Sequence, residues 1–289
     1  MKLAIFGGSF DPPHVGHEMI VREALRCLDI DKLFVVPTYL NPLKRDSFAP
    51  ASQRIKWLSQ MFASEEKVEI LDFEVKQQRS VYTIETIKYL LENFEISKIY
   101  LIIGADNYAI FDKWKDHDKI EQVCELVVAS RDDAFYPKDL KKLNINANIS
   151  SSKLRAHMNA SFIPKIIRNE VTEYYTRKKM EKRIERIVNI LDTNKAESIQ
   201  TFDMSNKDYI VDHVVIATTL GERHGFALLN TLKDELKSEG EEFLNIDESS
   251  DWVILDMGDI LVHLMSPPYR EKYNIEEFLT NRELELNKQ

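Results

Sequence analysis

The segment Gly7-Gly8-Ser9-Phe10-Asp11-Pro12-Pro13-His14-Val15-Gly16-His17 limits the fold of this chain more than any other stretch. It follows Lys2–Phe6 (KLAIF), which reads as a short buried strand. It leads into His14–Leu28, where Val15, Ile20, Val21, Leu25 and Leu28 recur at helical spacing. Strand, glycine turn and helix start, in that order, let backbone N–H groups approach an anion with no Cβ in the way. The helix N-terminus adds a field that favours negative charge. His14 and His17 lie at the start of that helix, so both imidazoles can face one phosphate, and Gly16 would keep the helix surface between them open. A lone histidine at a helix start is more often a cap, and a glycine pair after a strand is common. The whole eleven-residue constellation is too long for either bland reading.

The rest of the first half repeats a strand–helix rhythm. Leu33–Val36, Val68–Leu71, Ile99–Ile103 and Leu126–Ala129 read as strands. Ser52–Phe62, Thr83–Phe94 and about Lys113–Cys124 read as helices. Such alternation predicts an α/β fold with a doubly wound parallel sheet, Rossmann-like. A boundary falls near 176–184, dividing the chain into 1–178 and 179–289. The junction TRKKMEKRIER has no Pro or Gly, and Met180, Ile184, Ile187, Val188 and Leu191 keep helical spacing, so one helix crosses it or starts there. Beyond it, Tyr209–Thr218 reads as a strand and Gly225–Leu236 as a helix. Trp252–Leu255 and Ile260–Leu264 read as strands joined by a tight turn at Asp256–Asp259, with a last helix over Glu276–Leu284. This second part is a small mixed-sheet α/β domain with its own core.

Composition excludes several classes. At 44% hydrophobic and 30% charged residues, the 289-residue chain is ordinary soluble protein with room for two domains. No run is long enough for a membrane helix, and the apolar N-terminal stretch is too short for a signal peptide. A cytoplasmic location follows, with Cys27 and Cys124 expected as buried free thiols. The net charge of −9 is unevenly spread: residues 1–183 carry +3 and residues 184–289 carry −12. The acidic part is a poor candidate for gripping nucleic acid.

A second candidate anion patch is Ile149-Ser150-Ser151-Ser152-Lys153-Leu154-Arg155. Its hydroxyls offer an N-cap and a phosphate cradle, and Arg155, one turn in, could reach a triphosphate. Together the two patches resemble the bacterial nicotinate-mononucleotide adenylyltransferases, a branch of the nucleotidyltransferase superfamily marked by H-x-G-H and a late I-S-S-x-x-x-R. The resemblance covers the chain to about Tyr175. It implies transfer of AMP from ATP to nicotinate mononucleotide, giving deamido-NAD and pyrophosphate. His14, His17 and Arg155 would be catalytic, while Gly7, Gly8, Ser9, Phe10, Gly104, Asp106, Ile149, Ser150, Ser151 and Ser152 would bind ATP. Tyr82, Thr83, Trp114, Lys44 and Arg131 would bind the mononucleotide, the backbone at Tyr82-Thr83 taking the nicotinate carboxylate. Where the family has Pro-Pro-His-Lys this chain has Asn41-Pro42-Leu43-Lys44, so an imidazole is replaced by Leu43. Mg²⁺ would travel with ATP on mostly water ligands, so no protein metal site is expected.

From 184 onward no catalytic constellation appears, and His213, His224 and His263 read as structural. The segments Asp212–Thr218, Arg223-His224, Trp252–His263 and Arg270–Tyr273 resemble the ribosomal silencing factor (Iojap-like) family, most specifically in the W-V-x-L-D-x-G-D-x-x-V-H run. The resemblance implies binding to the large ribosomal subunit through its fourteenth protein, and a block on subunit joining. The alternatives are that this part only pairs two copies of the chain, or that the enzyme uses the amide mononucleotide.

Overall fold

Strand β1 (Lys2–Gly8) is apolar on both faces and lies at the middle of a six-stranded parallel sheet. In the computed structural model, residues 1–40, 46–130, 140–145, 149–205 and 207–286 are described. They divide into two compact units, Met1–Lys178 and Lys179–Gln289.

In the first unit β1 is followed by α1 (Val15–Cys27), β2 (Lys32–Pro37), α2 (Ala51–Met61), β3 (Val68–Ile70) and the single-turn α3 (Phe73–Lys76). Then come α4 (Thr83–Asn93), β4 (Lys98–Gly104), the short α5 (Ala105–Tyr108), α6 (His117–Val123), β5 (Cys124–Ser130), β6 (Lys141–Asn144) and α7 (Ser151–Ala156). Strand order is β3-β2-β1-β4-β5-β6, so the direction of winding reverses between β1 and β4. Alternation along each strand splits the core in two. Ala4, Phe6, Leu33, Val35, Tyr100 and Ile102 face one side with α1 and α2 residues such as Val21, Ala24, Trp57 and Leu58. Leu3, Ile5, Phe34, Val36, Leu101 and Ile103 face the other with Ile84, Ile87 and Leu90 of α4. Both faces are covered, which is why these strands read as continuous apolar runs.

The expected helix over Lys113–Cys124 is shorter: a 3-10 turn (Phe111–Lys113) precedes α6, and Cys124 already belongs to β5. The expectation for the cysteines needs correcting at one of them. Cys124 is buried, and burial pushes its thiol up to about 12, whereas Cys27 ends α1 exposed, its Sγ 3.2 Å from Glu23 Oε1.

Helix α8 (Arg168–Thr193) runs unbroken through the boundary. Val171 and Tyr175 belong to the first unit's core, and Ile187, Ile190 and Leu191 to the second's. The second unit continues with β7 (Glu197–Asp203), β8 (His213–Thr218), α9 (Glu222–Ser238), β9 (Asn245–Glu248), β10 (Trp252–Asp256), β11 (Ile260–Met265), α10 (Pro267–Tyr273) and α11 (Ile275–Leu286). Its sheet, β7-β8-β11-β10-β9, is mixed: β8 and β11 pair in parallel and the other neighbours antiparallel. The turn from β10 to β11 has Gly258 at φ +88°, with its N–H donating to Asp256 Oδ1 at 2.8 Å. Arg183 pins this unit's part of α8 by donating to both Glu241 oxygens at 2.7 and 2.8 Å and to Asp259. Among the described residues no helix is long and apolar enough to cross a membrane.

A cut after Lys178 separates the two sets of α8 core residues. Residues 1–178 and 179–289, made separately, are each expected to melt in one cooperative transition followed by circular dichroism. A fragment without such a transition would show that its core depends on the other half.

Candidate functional site

The loop between β1 and α1 is held by two buried charged side chains. Asp11, 4% exposed, accepts the N–H groups of Phe48 (2.8 Å) and Ala49 (3.0 Å) and the hydroxyl of Tyr175. Burial, then Asp11, raises the Tyr175 pKa, so the phenol keeps its proton and donates it. Arg54 on α2, 1% exposed, donates to four carbonyls: Ala49 (3.0 Å), Ser9 (2.6 Å), Thr38 (2.8 Å) and Tyr39 (3.0 Å). Burial lowers its pKa and Asp11 opposes that, but a guanidinium stays charged across the range in which proteins fold. Charge-assisted bonds of this kind contribute about 1.5–3 kcal/mol each when geometry is good. Within this frame Phe10 adopts a left-handed backbone (φ 50°), a conformation that costs a non-glycine residue roughly 1–2 kcal/mol. Its ring offsets that cost by packing edge-on against Phe6 (5.5 Å) and His17 (4.8 Å). A Cβ at Gly8 would stand 3.1–3.3 Å from the same ring, so any larger residue would have to push that ring aside.

His14 and His17 do come together, with rings 3.7 Å apart and 19° from parallel. His14 is buried and His17 half-buried. The His14 backbone N–H donates to His17 Nδ1 at 3.2 Å, so the neutral His17 ring carries its proton on Nε2. Gly16 has a different task from the one its place in the motif implied. A Cβ there would meet the His14 ring at 3.0 Å and Ile149 at 3.4 Å, so the glycine admits a close packing rather than leaving an open surface.

The serine patch folds onto this loop. Ser150 caps α7 by accepting the Lys153 N–H at 3.3 Å, Ser151 Oγ donates to the Pro12 carbonyl at 2.9 Å, and Ile149 is core. Arg155 donates to the Asp11 carbonyl and to Ser152 Oγ (3.1 Å). The two motifs, far apart in sequence, thus form one site, with His14, His17 and Arg155 arranged around Asp11–His14.

Beside it a cavity of about 260 Å³ opens at the carboxyl ends of β1, β2 and β4. Gly7, Gly8, Tyr82, Thr83 and Trp114 all line it, together with Glu74. The Tyr82 N–H already donates to Glu85 Oε1 (3.1 Å), itself held by Arg79 at 2.7 Å. Thr83 opens α4, where the Glu85 N–H is taken by the Tyr82 carbonyl at 2.8 Å. Gly104 ends β4, and Asp106 follows on α5, exposed. Lys44 and Arg131 lie outside the described residues, as does Leu43. Asp11, though inside the glycine-turn segment, was given no role, and Arg54, Tyr175 and Glu74 were not among the residues picked out from the sequence. Arg54 could have been: with Trp57, Leu58 and Met61 it falls at i, i+3, i+4 and i+7, a lone charge on an apolar stripe.

A parallel sheet with a glycine turn, paired imidazoles and a cavity at its switch point has the architecture of a nucleotidyltransferase. Residues 5–157 match the family model described as cytidylyltransferase-like. The "Probable nicotinate-nucleotide adenylyltransferase" of Sulfurimonas denitrificans is 46% identical over 60% of this chain and 94% of that protein. The protein of the same name from Campylobacter jejuni is 46% identical over 61% and 97%. A solved Plasmodium falciparum nicotinic acid mononucleotide adenylyltransferase has the same fold, with a TM-score of 0.51 at 20% identity over 61% of this chain and 97% of that one. The chain belongs to the cytidylyltransferase-like family and, within it, to the nicotinate-nucleotide adenylyltransferases. Residues 177–288 match the model described as ribosomal silencing factor during starvation, so the chain is a fusion of the two.

If His17 Nε2 is the donor to the reacting phosphate, His17→Ala should lower kcat on the order of 10²–10³. His17→Gln, whose amide reaches the Nε2 position, should retain more activity than His17→Asn, whose amide reaches only Nδ1. Steady-state kinetics decide it: equal losses in Gln and Asn would remove Nε2 from the mechanism.

Proposed function

We propose that residues 1–178 transfer AMP from ATP to nicotinate mononucleotide, giving deamido-NAD and pyrophosphate, in the cytoplasm. The observation that carries this reading is the single cavity joining the glycine turn, Gly7 and Gly8, to Tyr82, Thr83 and Trp114. A phosphate end and a ring end lie within one small space. The names of the relatives support the same substrate.

A phosphate oxygen of the mononucleotide attacks the α-phosphorus of ATP in line. The new P–O bond forms as the bond to the bridging oxygen of pyrophosphate breaks, and that oxygen keeps the electron pair. The nucleophile is already anionic, so no strong base is needed, and catalysis is positioning plus stabilisation of charge. Backbone N–H groups around Gly8–Phe10 and the imidazoles of His14 and His17 face the transferring group. Arg155 exchanges its carbonyl partner for phosphate oxygens. Gly104, Asp106 and the Ile149–Ser152 turn flank the nucleotide. Among the described residues no group of three His, Cys, Asp or Glu could hold a metal. The residues present fit phosphates that would bring their own Mg²⁺, which would neutralise charge there. Trp114 stacks near the pyridine, and the α4 N-terminus at Thr83 receives its carboxylate.

A carboxylate aimed at N–H donors and an amide aimed at the same donors differ steeply, because the amide leaves buried donors unpaired. The value of kcat/KM with ATP is therefore expected to be at least about 100-fold higher for the acid mononucleotide than for the amide. Comparable values would overturn the acid reading in favour of a dual-substrate enzyme.

Residues 179–289 carry a second function: binding the large ribosomal subunit through its fourteenth protein and blocking subunit joining. The match over 177–288 and the −12 charge of residues 184–289 support it, since an acidic surface complements a basic ribosomal protein. Ile210 (79% exposed) and Leu244 (72%) add exposed apolar contacts. His224 and His263 each have a structural partner: His224 Nδ1 accepts the Leu220 N–H (2.9 Å) and His263 Nδ1 accepts the Trp252 indole N–H (3.1 Å). The full chain should sediment with purified large subunits at low salt and less so as salt screens the attraction. Absence from the large-subunit peak at low salt would leave only self-pairing for this domain.

A further inference from the structure

Glu74 is a buried carboxyl on the wall of the cavity, and the mechanism above does not use it. It belongs to the single turn α3, is 6% exposed, and lines the same space as Tyr82, Thr83 and Trp114. Thr86 Oγ1 on α4 donates to its Oε1 at 2.8 Å, while its Oε2 is buried and has no hydrogen-bond partner. A buried carboxylate with one hydroxyl partner and no cation is costly to maintain.

We propose that Glu74 is a specificity-determining residue that selects the acid over the amide form of the mononucleotide. This inference rests on the reading of the cavity as the pyridine site. As the neutral acid, Glu74 adds no negative charge beside a ring carboxylate. As the carboxylate, it repels the acid substrate but not the neutral amide. The margin by which the N–H donors prefer the acid therefore varies with the protonation of this one side chain.

The surroundings keep that proton within reach of neutral pH. Burial, and secondarily the Glu85 charge, raise the Glu74 pKa against the Thr86 hydrogen bond, to about 7. From α4 the facing groups are Thr86 and Glu85, with Arg79 holding Glu85 and Tyr89 stacked on Phe73 at 4.2 Å. From its own turn, Asp72 and Lys76 pair with each other at 2.9 Å. From beyond the 3-10 turn, Lys113 and Lys115 line the cavity, and Lys115 Nζ stands 4.6 Å over the Tyr82 ring. On β2 and its end the lining residues are Val36 and Thr38, neither charged. A bound ring carboxylate is a like charge and should raise the Glu74 pKa further, so the kcat profile should turn at higher pH than kcat/KM.

The test is the ratio of kcat/KM for the acid mononucleotide to that for the amide, measured on the full chain between about pH 5.5 and 8.5. The substrates share ribose and phosphate, so phosphate ionisation cancels in the ratio. In the wild type the ratio should fall above about pH 7, by at most about tenfold per pH unit, the limit for loss of one proton. Glu74→Gln keeps the shape and a permanent N–H donor, so its ratio should stay flat and exceed the wild type's at high pH. Thr86→Val removes the hydrogen bond that holds the pKa down, so its ratio should turn at higher pH than the wild type's. A ratio that favours the acid but is flat in the wild type, or that falls equally in Glu74→Gln, overturns the role of Glu74 and leaves the pyridine site standing. A wild type that prefers the amide at every pH overturns the pyridine-carboxylate reading itself.

Discussion

Everything at the catalytic end of the first domain hangs on the Asp11 carboxylate and the Arg54 guanidinium. Neither side chain is free to move, and each ties together segments that no secondary-structure ladder joins. Asp11 collects N–H groups from Phe48 and Ala49 and the Tyr175 hydroxyl, so the turn after β1, the entry to α2 and the start of α8 meet at one carboxylate. Arg54 collects carbonyls from Ser9, Thr38, Tyr39 and Ala49. The carbonyls of such connecting segments cannot all be satisfied in a ladder. A buried guanidinium solves that problem, because it donates five times and accepts nothing. The strained backbone at Phe10 persists because this frame over-determines it.

The topology explains why the frame is built there. Winding reverses between β1 and β4, so their carboxyl ends diverge and leave a crevice that neither connecting helix fills. The glycine turn borders that crevice from β1. The α4 N-terminus and Trp114 border it from the other face of the sheet, and the α7 turn brings Arg155 back to Asp11. Donors fixed in advance around a transferring phosphoryl group need no reorganisation at the moment of reaction, and this is where such an enzyme gains most of its rate.

Those parts of the fold whose physics is local could be read directly from the chain. The apolar runs of β1, β4 and β5 and the stripes of α1, α2 and α4 were legible because both faces of the first sheet are buried. The turn at Asp256–Asp259 was legible because its residues demand it. Strands β6, β7 and β9 were not, because they are edge strands whose side chains face water: Lys141, Lys142, Glu197 and Glu248 are exposed and carry no apolar alternation. The strand expected over Tyr209–Thr218 begins only at His213, since residues 207–212 run through a bend. At the site, the glycines, the two histidines and the serine patch announced themselves by composition. The stacking of His14 on His17, the work of Gly16 and the reach of Arg155 to Asp11 depend on long-range packing that no local spacing encodes.

Arg54 and Glu74 show how burial assigns roles to charged side chains. Both are almost fully enclosed in the same domain, and desolvation opposes the charge of each. Arg54 has four carbonyl acceptors and a nearby carboxylate, and its intrinsic pKa lies so far above neutrality that it never loses its proton. It can therefore only hold structure. Glu74 has one hydroxyl donor, an anion at Glu85 rather than a cation beside it, and an oxygen with nothing to bond. Its two protonation states are then close in free energy near neutral pH. A group in that balance is poorly suited to bracing a fold, because half of its population would lack whatever contact it supplied. It is well suited to responding to the charge of a ligand, because a single new hydrogen bond or like charge tips it. The number of partners, more than the depth of burial, separates the brace from the sensor.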